Sequence, residues 1–147
     1  MQQFVKRKCP RLREHDYSAN GYYFITICTK EKQKLLSTVH PMPGGTFSLQ
    51  LSEYGRIADA FLATVPGIDR YVIMPSHIHM IIHKTNGKSI AFDIRSFKGL
   101  VTKAIGKGIW QDYYYDHVIR DEADYEIKCK YIDENPAKWA DDAYYSP

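Results

Sequence analysis

Two histidines, His77 and His79, lie one residue apart in the segment 71–84, YVIMPSHIHMIIHK. Successive side chains on a strand point to opposite faces, so the pair projects one way while Ile78, Met80 and Ile82 project the other, toward a core. Two imidazoles side by side on a rigid strand form half of a metal site, which needs a third ligand and a group to act with it. His83 shares their face but lies four residues past His79, about 13 Å at ~3.3 Å per residue. That is too far to share an ion, and His83 reads as structural or DNA-facing.

A second cluster stands at 125–136, YEIKCKYIDENP. Tyr131 and Asn135 are four apart and therefore neighbours on one helical face. Tyr125, Cys129 and Ile132 form the adjacent apolar stripe that would anchor the helix to a sheet. On spacing alone, Tyr131 and Asn135 read either as a packing residue and a helix-end cap, or as a nucleophile and an oxygen ligand. Sequence spacing does not bring this helix and the histidine strand together. Tyr113, Tyr114 and Tyr115 read as packing or base-stacking groups on a strand, with Tyr114 a candidate stacker for unpaired bases.

The elements that must position these groups follow from periodicity. Segment 22–29, YYFITICT, is dense in aromatic and β-branched residues and reads as a buried strand. Segments 35–38 and 47–51 flank a Pro/Gly loop and predict a short ribbon. Ser52 caps a helix over 52–65, which Pro66 and Gly67 stop. Segment 70–74, a turn at Pro75-Ser76, and 77–84 make two strands. A helix from Ser89 to about Lys107, a strand over 110–119 and a last helix from Asp121 or Asp124 to near Asn135 complete the chain, the residue before Pro136 being biased away from helix. This order predicts an α+β fold: a ferredoxin-like antiparallel sheet (β-α-β-β-α-β) with an added carboxy-terminal helix. Both main helices would lie on one face, and the histidines would look out from the other, under the last helix.

The chain has 147 residues, 44% hydrophobic, 25% charged and 14% aromatic, with twelve tyrosines. It fits one domain over 1–147, with a basic amino-terminal arm at about 1–20. Lys6, Arg7, Lys8, Arg11 and Arg13 precede the first acid, whereas 121–142 holds eight acids against three lysines. A basic arm is compatible with a polyanionic partner or with a solvated tail. Three cysteines without CxxC spacing and no visible secretory signal point to a reduced, cytoplasmic setting. No apolar run approaches the ~18 residues of a membrane span, and no phosphate-binding GxxxxGK[ST] loop is present, so no nucleotide cofactor is expected.

Three motifs carry a family resemblance: MPSHIHMII around the histidines, WQDYYYDHVIR at 110–120, and DYEIKCKYIDENPAKW at 124–139. With them the chain resembles the REP-associated tyrosine transposases, a group of the single-tyrosine HUH transposases, over nearly its whole length. The resemblance implies catalysis by Tyr131, a divalent metal held by His77, His79 and Asn135, and a 5′-phosphotyrosine intermediate on single-stranded DNA beside a palindromic hairpin. Ligand type alone favours zinc or manganese, whereas the resemblance implies Mg²⁺ or Mn²⁺. Arg11, Arg13, Arg95, Lys98 and Lys103 are candidate DNA-binding residues. A cytoplasmic, nucleoid-associated prokaryotic protein is implied, monomeric or homodimeric. The alternative is a non-catalytic ferredoxin-like nucleic-acid-binding module. It would gain if Tyr22, Tyr23 and Phe24 faced an open sheet surface.

Overall fold

The computed structural model describes residues 21–139. Strand β1 (Gly21–Thr29) leads to a ribbon of β2 (Ser37–Pro41) and β3 (Phe47–Leu51). Helix α1 (Glu53–Leu62), strands β4 (Ile68–Ile73) and β5 (His77–Lys84), helix α2 (Ile90–Ile105), strand β6 (Trp110–Ile119) and helix α3 (Glu122–Glu134) follow. The main sheet has the order β4-β5-β1-β6 with every neighbouring pair antiparallel. This is the predicted α+β, split β-α-β-β-α-β arrangement with the ribbon and the last helix added.

Alternation along the strands assigns each face. Tyr23, Ile25 and Ile27 of β1 join Ile78, Met80 and Ile82 of β5 in one core, against Ala58 and Leu62 of α1 and Ile94, Phe97 and Val101 of α2. The intervening residues Phe24 and Ile81 pack with Ile119, Cys129 and Ile132 in a second, smaller core under α3. The stripe Tyr125, Cys129 and Ile132 thus anchors α3, as its spacing predicts.

Local chemistry sets the ends. Ser52 caps α1 by accepting from the Gly55 amide at 3.0 Å, and Ser89 and Asp121 cap α2 and α3 in the same way. Gly106, at φ 95°, adopts the left-handed conformation that ends α2 at Ile105, two residues before the predicted Lys107. Gly55 lets α1 touch the main chain beside the ribbon: a Cβ there would lie 2.0 Å from the Leu36 carbonyl oxygen. The β2 strand runs over 37–41 and not 35–38, because Leu36 is drawn into the core instead of pairing.

One charged pair sits inside this frame. Lys84 is fully buried at the end of β5 and lies 2.6 Å from Asp93 in the first turn of α2. It also contacts Asn86. The pair ties α2 to β5 where the chain leaves the sheet.

Candidate active site

The face under α3 is a ladder of cross-strand rows. His77 is opposite Cys28; His79 lies between Val72 and Thr26, with Tyr115 beyond; Ile81 is followed by Phe24 and His117; His83 is followed by Tyr22 and Ile119. Helix α3 runs along this ladder. Its first turns lie over the His117 and Tyr22 rows, and Tyr131 reaches the histidine pair.

The turn before His77 is held from two sides. Thr29 donates to the Ser76 carbonyl from both its amide (3.0 Å) and its hydroxyl (3.1 Å), and the Leu36 amide donates to the Pro75 carbonyl at 3.0 Å. Met74 closes the turn by donating to the His77 carbonyl at 2.8 Å. The start of β5 is therefore fixed before either imidazole makes a contact of its own.

The His77 and His79 rings are 4.6 Å apart, centre to centre. Thr26 Oγ1 lies 2.8 Å from His79 Nδ1. In the tautomer in which Nδ1–H donates to Thr26, Nε2 keeps its lone pair, the arrangement that metal-binding histidines require. Ser76 Oγ stands 3.3 Å from His77 Nδ1. Phe24 stacks against His79 at 5.5 Å, and the Tyr131 ring meets His79 edge-on at 5.0 Å. Trp139 lies over His77 at 5.8 Å.

Asn135 lies on α3's face between these two aromatics, one turn after Tyr131 and one turn before Trp139. It is 3% exposed, and its Oδ1 is buried with no hydrogen-bond partner among the described residues. A buried amide oxygen in that state calls for a donor or a cation. Among the described residues no third His, Cys, Asp or Glu completes a metal-ligand cluster. Both histidines are fully buried, so the site is closed to solvent. Helix α3 and Trp139 close over it.

The other tyrosines are set apart by their surroundings. Tyr125 donates to Asp69 at 2.5 Å, and this hydrogen bond, with burial, pushes its phenol up to about 12. Burial, then a hydrogen bond to Asp59, pushes Tyr71 up to about 12 as well. Neither phenol forms an attacking phenolate readily. Tyr114 is 7% exposed in the core facing α2, which removes it as a base stacker, while Tyr113 and Tyr115 share the histidine face. Parity along β6 carries this information, but three tyrosines in a row obscure it.

Helix α3 is clamped at its start. His117 Nε2 lies 2.7 Å from Asp124, and Lys128 Nζ lies 3.0 Å from the other carboxylate oxygen. Burial alone would raise the Asp124 carboxyl, but the hydrogen bonds from His117 and Lys128 outweigh it and hold the group below the usual carboxylate range. Thr26 and Trp139 were not legible as site residues, since each meets a histidine distant in sequence.

Arg95, Lys98 and Lys103 lie on α2, across the sheet from the histidines. They border one shallow groove that also includes Lys30 and Gln111. Lys98 donates to the carbonyls of Gln111 (2.8 Å) and Tyr113 (3.2 Å). Arg11 and Arg13 fall outside the described residues. His83 is exposed and stacks on Tyr22 at 4.2 Å.

No family model matches the chain. It is 36% identical over 128 residues to the REP-associated tyrosine transposase of Escherichia coli K12, covering 83% of this chain and 70% of the relative. The chain belongs to the REP-associated tyrosine transposase family. Within that family frame, an uncharacterized Haemophilus influenzae protein is 31% identical over 172 residues, covering 95% of this chain and 93% of its own. The structure of a REP-associated tyrosine transposase bound to a REP hairpin shares the fold with a TM-score of 0.66, at 24% identity, over 88% of this chain and 74% of that one. The face that a sheet-surface nucleic-acid binder leaves open is covered here by α3, with Tyr23 and Phe24 buried on opposite sides of the sheet. No helix among the described residues is long and apolar enough to cross a membrane.

Proposed function

We propose that the chain is a metal-dependent single-stranded DNA nickase and strand transferase that acts beside palindromic hairpins, in DNA transposition or repeat processing. The observation that carries this reading is the Tyr131 ring at 5.0 Å from His79, with the buried, unsatisfied Asn135 Oδ1 one turn further along the same helix. Family membership supports the transposase role, and the hairpin is the DNA named for the structural relative.

His77, His79 and Asn135 would hold Mg²⁺ or Mn²⁺. When bound, the ion supplies Lewis-acid polarisation of a non-bridging phosphate oxygen. Tyr131 is the nucleophile: its oxygen forms the bond to phosphorus as the bond to the 3′ oxygen breaks. The phenolic proton is lost and the departing 3′ oxygen takes one up, leaving a free 3′ hydroxyl and a 5′-phosphotyrosine link. The link keeps the energy of the phosphodiester, so a 3′ hydroxyl can attack it and rejoin strands without a nucleotide cofactor. Thr26 orients His79, and Trp139 with Phe24 screens the site from water.

The groove on the far side of the sheet supplies the electrostatics. Lys30, Arg95, Lys98 and Lys103 would contact backbone phosphates of the hairpin, with Arg11 and Arg13 of the arm as further contacts.

The test uses hairpin oligonucleotides with single-stranded flanks, labelled on either side of the junction, incubated with Mn²⁺. A denaturation-resistant adduct on the 5′-phosphate side that disappears in Tyr131→Phe is expected. Binding without an adduct on any substrate would favour the non-catalytic module. Cleaved but unattached DNA that persists in Tyr131→Phe would favour hydrolysis by metal-bound water.

A further inference from the structure

The end of the ladder remote from His77 carries a second constellation. Tyr22 stacks on His83 with ring centres 4.2 Å apart and planes within 1°, and it meets Tyr125 edge-on at 5.2 Å. Tyr22 lies between His83 and Ile119 in the sheet register. On the Ile119 side a cavity of about 500 Å³ opens, bordered by Tyr22, Tyr125, Arg120, Glu122 and Glu126. That volume lies within the range of small-molecule sites.

The lining chemistry selects among occupants. An anion would meet more carboxylates than cations there, which argues against a phosphate as the group received. Flat aromatic walls favour a planar heterocycle, and carboxylate oxygens accept hydrogen bonds from ring-bound amino groups. Tyr125 is held in place by Asp69 and Tyr22 by His83, so the walls are set without a ligand. The cavity shares its face of the sheet with the candidate active site. His83 is about 13 Å from His79 along β5 at ~3.3 Å per residue, a separation of a few nucleotides at ~3.4 Å per stacked base.

The geometry points to a base-binding subsite in which Tyr22 and Tyr125 receive one unpaired nucleobase bearing an exocyclic amino group, a few nucleotides from the cleaved phosphate. The inference deepens the proposed single-strand reaction and rests on that reading for its substrate class. Tyr22 and Tyr125 supply stacking, and Glu122 or Glu126 accepts from the amino group. Arg120 at the rim is available to the strand's adjoining phosphate.

The probe is a short oligothymidylate carrying one 2-aminopurine, titrated with the full chain and read by fluorescence. Stacking on Tyr22 quenches the probe. Tyr22→Leu should remove the quench and weaken binding by about fivefold or more, whereas Tyr131→Phe should leave both unchanged. Glu126 is exposed, so Glu126→Gln should leave the fold intact. It should reduce the preference for one cytosine over thymine in the same oligonucleotide. No quench in a wild-type chain that forms the covalent adduct overturns the subsite and leaves the nickase reading standing. A quench without any adduct does the reverse. A quench that survives Tyr22→Leu, or a preference untouched when Glu122→Gln and Glu126→Gln are combined, also overturns the assignment.

Discussion

Replacing Thr26 by Val isolates the link between sheet geometry and the proposed metal chemistry. The substitution keeps the β-branched shape but removes the oxygen 2.8 Å from His79 Nδ1, and both residues are fully buried. No bulk water reaches the orphaned nitrogen, so the cost is the lost hydrogen bond together with the desolvation of a stranded polar group, about 1–3 kcal/mol. For a chain of this size that lowers Tm by roughly 2–4 °C per kcal/mol. The functional effect is distinct. His79 loses the partner that fixes its ring and tautomer, and such partners are worth about 10- to 100-fold in metal affinity or activity. The assay is adduct formation against Mn²⁺ concentration, with Tm measured in parallel without metal. The half-saturating Mn²⁺ should rise by about one to two orders of magnitude. A Tm loss of the expected size with unchanged Mn²⁺ dependence would refute the reasoning, leaving Thr26 as a packing residue only.

Four further outcomes are expected. Lys84→Met strands the buried Asp93 carboxylate and should destabilise the fold by about 3–5 kcal/mol in urea titrations, and adding Asp93→Leu should recover most of that loss. Asp124 has a folded-state pKa below its unfolded value, so its contribution is present above the unfolded pKa near 3.9 and is lost as pH falls through the lower folded one. Unfolding titrations between neutral and acid pH should show this dependence in the wild type and a flatter one in Asp124→Asn. Gly55→Ala puts a Cβ 2.0 Å from the Leu36 carbonyl and should lower stability by about 1–3 kcal/mol or more, read by thermal melting. Arg95→Ala or Lys103→Ala should weaken hairpin binding and lower the slope of log affinity against log salt by about 1 each, with little change in the adduct yield at saturating DNA.

Much of the frame was legible because each element obeys one period. The strands 77–84 and 110–119 have the bounds that alternation and turn residues predict. The start of β4 was not read, because an irregularity between Ile68 and Arg70 breaks the alternation there. The two faces of the sheet followed from the histidine parity, while the covering by α3 was expected from the order of the elements. What sequence could not supply was juxtaposition. Thr26 is separated from His79 by 53 positions, and only sheet register makes them partners. The Tyr22–His83 stack is hidden for the same reason. Of the two readings open for Tyr114, packing holds and base stacking does not, because one residue's shift in parity exchanges core and site faces.

Tyr131 lies in the last turn of α3, and Asn135 is the residue that caps the end of that helix. A helix moves as a rod, so the proposed nucleophile and the proposed third ligand have one shared degree of freedom between them. Any motion that lifts α3 to admit a strand withdraws both from the histidines at once, and any motion that returns it delivers both together. In the proposed site, affinity for the ion and readiness to attack would therefore rise and fall in step, and an open conformation would keep two imidazoles, too few to hold an ion tightly.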